Sequence, residues 1–249
     1  MSLPVFGTAF TLFLVAVLWF VVPKLVLNAG RAAATIQGIY RTNIALFGLP
    51  LAVNLFGEQN VGDVVLMIAV MVPLFNVIAV VVLSSFSESS QKPSVSSIFR
   101  DIVKNRLIWG VLLGLAVAMT GIRLPDVILK PITELGATAT PLAMLSLGGQ
   151  FSFKSAVENR TLLLASCLMR LVVVPALAVA AGLAVGFSGL AIGALFIVFG
   201  APTATSSFVM AKSMGADGEL AGEIVVFTTM LSILTVFIGT YLLKSTGII

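Results

Sequence analysis

Polar side chains that could bind an ion lie beside two similar Gly–Pro sequences, each within an otherwise apolar stretch. Gly48-Leu49-Pro50 returns as Gly200-Ala201-Pro202, 152 residues later (202 − 50). Glycine and proline interrupt the helical hydrogen-bond ladder, and interrupted backbone in a membrane must be satisfied by protein or by a water-filled cavity. Free N–H groups at the start of a half-helix favour an anion. We therefore expect a substrate-binding site between the two sequences, formed by Asn43, Gly48, Pro50, Arg170, Gly200, Pro202, Thr203, Thr205 and Ser206.

The positions of the two breaks follow from these residues. In the first stretch we expect one half-helix to end near Phe47 and the next to begin after Pro50. In the second we expect the break near Gly200–Pro202, where the hydroxyls that follow could accept from free N–H groups. Carbonyls at the ends of the first halves could instead hold a cation or accept from a protonated group.

Charged residues within apolar stretches admit two interpretations each. Arg170 lies about ten residues from either end of its stretch, and it is either a counter-charge for an anion or paired internally. Arg41 either extends to the membrane surface or assists binding. Asp63 and Glu223 stand at matched helix starts, where they are partners of the helix dipole or carriers of a coupled proton. Asn76, Ser146, Gln150 and Thr228 either line a polar path or bond neighbouring helices.

Enzyme chemistry is not indicated by this chain. It has no histidine and a single cysteine, Cys167, and it shows no catalytic set, metal-ligand spacing or phosphate-binding loop. We expect no catalytic residue, no cofactor and no metal. The net charge of +4 suggests loops at an anionic membrane face rather than a nucleic-acid surface.

The elements that position the site are membrane-spanning helices. The chain is 59% hydrophobic and 10% charged, which excludes a soluble globule. A span needs about 20 mostly apolar residues. Residues 5–22 are apolar with no preceding Lys or Arg, which favours a span over a signal peptide. The sequence predicts an all-α polytopic protein with eight spans near 5–27, 33–56, 61–84, 107–121, 126–149, 161–186, 189–212 and 220–243.

A Ser-rich linker, residues 85–97, divides the chain into an N-terminal part, 1–84, and a C-terminal part, 98–249. The fourth span is short and is expected to extend backwards through Ile98–Arg106. Placing the linker in the cytoplasm puts most Lys and Arg residues on that side, as the positive-inside rule requires, and both termini outside.

The two parts also contain a longer repeat. Val22-Pro23 matches Val174-Pro175 at the offset of 152, and Gly62-Asp63 matches Gly222-Glu223 at an offset of 160 (222 − 62). Spans one to three thus correspond to spans six to eight and cross in opposite directions, which predicts an inverted repeat. The C-terminal part has two further spans without counterparts, so the pattern is three plus five helices of an ancestral five plus five.

Three segments resemble the auxin efflux carrier family of membrane transporters, in its bacterial form. The sequence from Gly38 to Ala52 is similar to the family's fourth helix, that from Thr138 to Gly148 to its seventh, and those from Ala201 to Ala204 and from Phe208 to Lys212 to its ninth. The resemblance implies ten helices in two inverted repeats with crossing broken helices. This chain would begin at the third of them and lack the first two.

The resemblance also implies a function. Such a protein would carry small organic anions, such as dicarboxylates or auxin-like carboxylates, across the bacterial plasma membrane. A coupling proton or sodium ion and a homodimer are further expectations. The alternatives are a cation/proton antiporter, which also uses crossed broken helices, and an inactive truncated remnant or scaffold.

Overall fold

The computed structural model describes residues 2–86, 100, 103, 106–121 and 124–249. These residues form helices and their connections, and their one strand-like pairing is an isolated bridge between Thr42 and Thr203. The predicted linker lies outside the described residues from residue 87 to its end, and so does most of the Ile98–Arg106 extension.

The helices begin and end close to the predicted spans. Before the linker they are α1 (Leu3–Leu25), α2 (Ala29–Tyr40), a π-helical turn (Ile44–Gly48), α3 (Leu49–Phe56) and α4 (Gly62–Ser85), with a short 3-10 turn at Glu58–Asn60. After it they are α5 (Arg106–Thr120), α6 (Asp126–Gln150), α7 (Phe153–Glu158), α8 (Arg160–Leu168), a second π-helical turn (Met169–Val173), α9 (Val174–Val185), α10 (Leu190–Gly200), α11 (Ser206–Ser213) and α12 (Gly218–Ser245).

Four of the described helices are long and apolar enough to cross a membrane. They are Leu3–Leu25, Gly62–Ser85, Arg160–Val185 and Gly218–Ser245, and Ile44–Phe56 and Leu190–Gly200 are shorter apolar helices. The second and seventh predicted spans do not form helices of this length, because each is divided into two half-helices. The helix α6 is long enough, but it carries three charged residues, Asp126, Lys130 and Glu134, in its first half.

The first break lies earlier than predicted. Helix α2 ends at Tyr40 and the chain is non-helical at Arg41–Asn43, whereas Phe47 lies in the π-helical turn and Pro50 in the first turn of α3. The expectation of a half-helix end near Phe47 and a restart after Pro50 is therefore wrong. Proline lacks an N–H and crowds the preceding turn, and here the wider π-helical turn accommodates it without a break. The second break is confirmed, since α10 ends at Gly200 and Ala201 is extended.

The repeat follows an offset near 160 in the structure. The ends of α1 and α9 are 160 residues apart (185 − 25), the bridged threonines 161 (203 − 42), and the ends of α4 and α12 160 (245 − 85). This agrees with the Gly62 and Gly222 match. The two Gly–Pro sequences, offset by 152, are consequently not at equivalent places in the fold.

The two breaks lie in the interior of the protein, with other helices packed around them. Helix α1 packs on α2 and α4, and α12 packs on α2, α8 and α11. Close approach of α2 to α12 depends on Gly38, because a Cβ there would lie 2.9 Å from Cγ2 of Ile224. By contrast, most described side chains of α6 are exposed, and Leu147 is its buried residue. The core thus surrounds the two breaks.

Candidate functional site

The two breaks lie side by side and satisfy each other's backbone. We call residues 41–43 and 201–205 the crossing. Thr42 and Thr203 form an antiparallel bridge, in which the Asn43 N–H donates to the Pro202 carbonyl at 2.8 Å. The Ala204 N–H donates to the Arg41 carbonyl at 3.3 Å. Backbone groups that leave a helix in an apolar interior need such partners, so each break stabilises the other.

Two hydrogen bonds hold Thr203 to neighbouring helices at the crossing. Its hydroxyl donates to the Gly38 carbonyl at 2.7 Å, and its N–H donates to Oγ1 of Thr228 at 3.2 Å. Thr228 in turn donates to the Ile224 carbonyl at 2.6 Å. The crossing is thereby attached to α2 and to α12, and the hydroxyl of Thr203 is already engaged.

Arg170 lies fully buried in the second π-helical turn and binds carbonyl groups. Its Nε and Nη2 donate to the Ala201 carbonyl at 3.0 and 2.6 Å, and its Nη1 donates to the Ile39 carbonyl at 3.2 Å. These carbonyls stand at the C-terminal ends of α10 and α2, where a helix has unpaired acceptors and a partial negative charge. Of the two interpretations of Arg170, its contacts match internal pairing.

Arg41 faces a small cavity at the crossing. Its side chain is 4% exposed, and Nη2 donates to Oδ1 of Asn76 at 2.5 Å while Nη1 contacts Sδ of Met210 at 2.7 Å. The cavity has a volume of about 160 Å³. Its polar lining comes from Arg41, Thr42, Asn43, Asn76 and Ser206. We call it the crossing cavity.

Three hydroxyls at or next to the crossing have no hydrogen-bond partner among the described residues. They belong to Thr42, Thr205 and Ser207, and all three side chains are buried. Buried polar atoms are nearly always paired in folded proteins, so these groups are available to water or to a ligand.

The predicted site residues separate into two groups. Asn43 and Ser206 line the crossing cavity, Pro202, Thr203 and Thr205 belong to the crossing, and Gly200 directly precedes it. Gly48 and Pro50 are not part of it. Gly48 packs on α10, where a Cβ would lie 3.3 Å from Cγ2 of Ile197. Pro50 is exposed on α3, and its carbonyl accepts from Asn54. Both lie beyond the break because it occurs at Thr42.

The charge at the crossing is positive. Arg41 and Arg170 are buried there, and neither forms an ion pair with another described residue. In the part of the chain that the structure describes, the one salt bridge joins Arg31 to Asp217 at 3.7 Å, on other elements. Burying a cation without an anionic partner is costly. The arrangement therefore favours an anion.

Comparison with known proteins identifies relatives over most of the chain. Residues 1–239 match a family described as "Membrane transport protein". An uncharacterized transporter of Methanocaldococcus jannaschii is 26% identical over 206 residues, which are 81% of this chain and 65% of that protein. A protein of Rhizobium meliloti named "Putative malonate transporter" is 26% identical over 219 residues, 86% of this chain and 68% of its own. The chain thus spans about two thirds of the length of these relatives.

Proposed function

Because this chain belongs to the membrane transport protein family, that of the auxin efflux carriers, we propose that it is a secondary transporter of a small organic anion. The observation that carries this proposal is the crossing, where two buried arginines lie without a carboxylate partner among the described residues. In secondary transporters, discontinuous helices meet at the substrate site, and one repeat moves against the other to give alternating access.

The proposed membrane arrangement has eight spans in an inverted repeat of three plus five helices. Its parts are residues 1–84, a cytoplasmic linker at 85–97, and residues 98–249, in a bacterial plasma membrane. The antiparallel direction of the bridge at Thr42 and Thr203 supports opposite crossing of the second and seventh spans. The common offset near 160 residues supports equivalence of the flanking helices.

The proposed substrate is a small dicarboxylate. The crossing cavity, at about 160 Å³, is well below the roughly 300–1,000 Å³ of a pocket for a drug-sized ligand. This favours a compact anion over an auxin-like aromatic acid. Malonate is the first compound to test, since one relative is named for it.

The proposed ligands are the groups that line the cavity. Arg41 supplies the charge, and Asn43, Asn76 and Ser206 supply polar contacts. The start of α11 adds a positive helix end, where the N–H groups of Ser207 and Phe208 donate to the carbonyls of Ala204 and Thr205. Thr205 has an unpaired hydroxyl that can turn towards the anion. Arg170, Gly200, Pro202 and Thr203 keep the half-helix ends in place around it.

The test is uptake of radiolabelled malonate by liposomes that contain the purified full chain. Arg41→Gln removes a charged donor, and a hydrogen bond to a charged group contributes about 1.5–3 kcal/mol, so we expect a loss of affinity of about 10- to 100-fold. Arg160→Gln is the control, because Arg160 is exposed on α8. Uptake no greater than that of empty liposomes, for malonate and for other short dicarboxylates, would overturn the proposal. Sodium–proton exchange without any anion would favour the antiporter.

A further inference from the structure

Glu223 is a buried acid in the second turn of α12, away from the crossing cavity. Its side chain is 1% exposed, and Oε2 accepts from Nδ2 of Asn159 at 2.9 Å. Oε1 has no hydrogen-bond partner within the described part of the chain. Glu223 lines a separate cavity of about 400 Å³, together with Gln150, Lys212 and Glu219.

Among the residues that the structure describes, no cation is paired with Glu223. Lys212 donates to Oε1 of Gln150 and lies 5.9 Å from the ring centre of Phe208. Arg31 reaches Glu223 only through Asn159, to whose Oδ1 it donates, and Arg31 is itself paired with Asp217. Of the other charged residues on the elements packed around it, Lys154, Glu158, Arg160 and Glu219 are exposed. Arg170, in the second π-helical turn, is buried, and its guanidinium donates to the Ala201 and Ile39 carbonyls rather than to Glu223.

A buried carboxylate with a neutral amide as its one partner needs a positive charge. An unpaired ion in an apolar protein interior is costly, and buried acids in membrane-spanning helices commonly take part in proton relays. Hard metal cations require about six or more oxygen ligands. The described residues contain no group of three or more His, Cys, Asp or Glu side chains that could hold a metal. A proton, which needs one oxygen, fits the free Oε1.

We propose that Glu223 binds a proton whose movement is coupled to that of the anion, one proton with each anion in the same direction. This inference rests on the proposed transport function. The proton passes from water in the cavity to Oε1 and converts the carboxylate into a neutral carboxyl group, and its release to water on the other side reverses the step. The proton offsets part of the charge of the anion, so the loaded protein carries less net charge than with the anion alone.

Helix α12 connects Glu223 with the crossing. Ile224, the next residue, packs against Gly38, the residue whose carbonyl accepts from Thr203. One turn further on, Thr228 accepts from the Thr203 N–H. A shift of α12 on protonation of Glu223 therefore changes the contacts that hold the second break.

The transport experiment uses liposomes with an interior one pH unit above the exterior, and valinomycin with equal potassium on both sides removes the membrane potential. One coupled proton per anion raises the malonate accumulation ratio up to about tenfold per pH unit. We expect Glu223→Gln to lose this accumulation and to keep malonate exchange at equal pH. Glu219→Gln, an exposed acid of the same cavity and helix, should behave like the unaltered protein. Accumulation by Glu223→Gln equal to that of the unaltered protein would overturn the proposal, and so would accumulation driven by sodium rather than by the pH gradient.

A second measurement needs no variant and no transport. Dicyclohexylcarbodiimide modifies protonated carboxyl groups in apolar sites, and mass spectrometry of peptides locates the modified residue. We expect modification of Glu223 in preference to Glu219, decreasing as the pH rises. Absence of labelling at Glu223, or labelling independent of pH, would overturn the proton site. Labelling that depends on pH, in a protein that carries no malonate, would support the proton site and reject the proposed substrate.

Discussion

Replacing Arg170 with lysine tests whether Arg170 has a structural role or serves as a counter-charge for the substrate. Lysine keeps the positive charge and the cost of burying it, but its single ammonium group cannot reproduce the planar fork of arginine. In the structure that fork spans two carbonyls, Ile39 and Ala201, on different half-helices. We expect Arg170→Lys to leave one of them without a donor.

The size of the effect follows from that lost contact. A buried acceptor left unsatisfied costs about 1–3 kcal/mol. For a chain of this length, each kcal/mol lowers the Tm by about 2–4 °C, so a loss near 2 kcal/mol predicts a decrease of about 4–8 °C.

The chain contains its own reporter for this measurement. Cys167 is the one cysteine, it is 4% exposed, and it lies three residues before Arg170. A maleimide dye that fluoresces on reaction with a thiol will therefore report unfolding during a thermal ramp in detergent. Arg160→Lys, on the exposed side of α8, is the matched control and should leave the Tm unchanged.

Two results would refute this reasoning. An unchanged Tm in Arg170→Lys would mean that the two carbonyls do not depend on the guanidinium fork. If Arg170→Gln also kept its Tm but lost affinity for malonate, Arg170 would be a counter-charge for the substrate instead.

Other predictions concern the packing and the breaks. Gly38→Ala places a Cβ 2.9 Å from Ile224, and overpacking of this kind costs about 1–3 kcal/mol; the double variant with Ile224→Ala should lower the Tm by less than the sum of the two single changes. Thr203→Val removes the donor to the Gly38 carbonyl and should lower the Tm. Thr203→Ser keeps that hydroxyl donor and should keep the Tm of the unaltered protein. Pro202→Ala combined with Gly200→Ala should straighten the second break and lower malonate uptake while the protein still inserts into the membrane. Pro50→Ala should leave uptake unchanged, because Pro50 lies within α3, and equal uptake by these two variants would remove the second break from the mechanism.

The helix positions were predictable because they depend on local composition. A predicted span at 61–84 is observed at Gly62–Ser85, and one at 220–243 at Gly218–Ser245. A long apolar run within a membrane forms a helix, because every backbone N–H and C=O group must be hydrogen-bonded within the protein. The break at Gly200–Pro202 was predictable for a similar reason, because glycine and proline disfavour helix at that point.

The first break could not be predicted in this way. The first break, residues 41–43, contains neither glycine nor proline, and a π-helical turn accommodates the nearby Pro50. The chain leaves the helix at Thr42 because the second break lies opposite and offers backbone partners. That information is held by a segment about 160 residues away, so no local pattern contains it.

The sequence by itself determined that the chain is a helical membrane protein with an interruption at Gly200–Pro202, because hydropathy and helix breakers act over neighbouring residues. The tertiary structure decided where the first interruption lies, that Arg170 holds two half-helix ends, and that Arg41, Asn43, Asn76 and Ser206 share one cavity. These facts depend on contacts between residues distant in the chain. An arginine within an apolar run looks the same in the sequence whether its side chain binds a carbonyl or a substrate anion. Only the residues packed around it distinguish the structural role from the binding role.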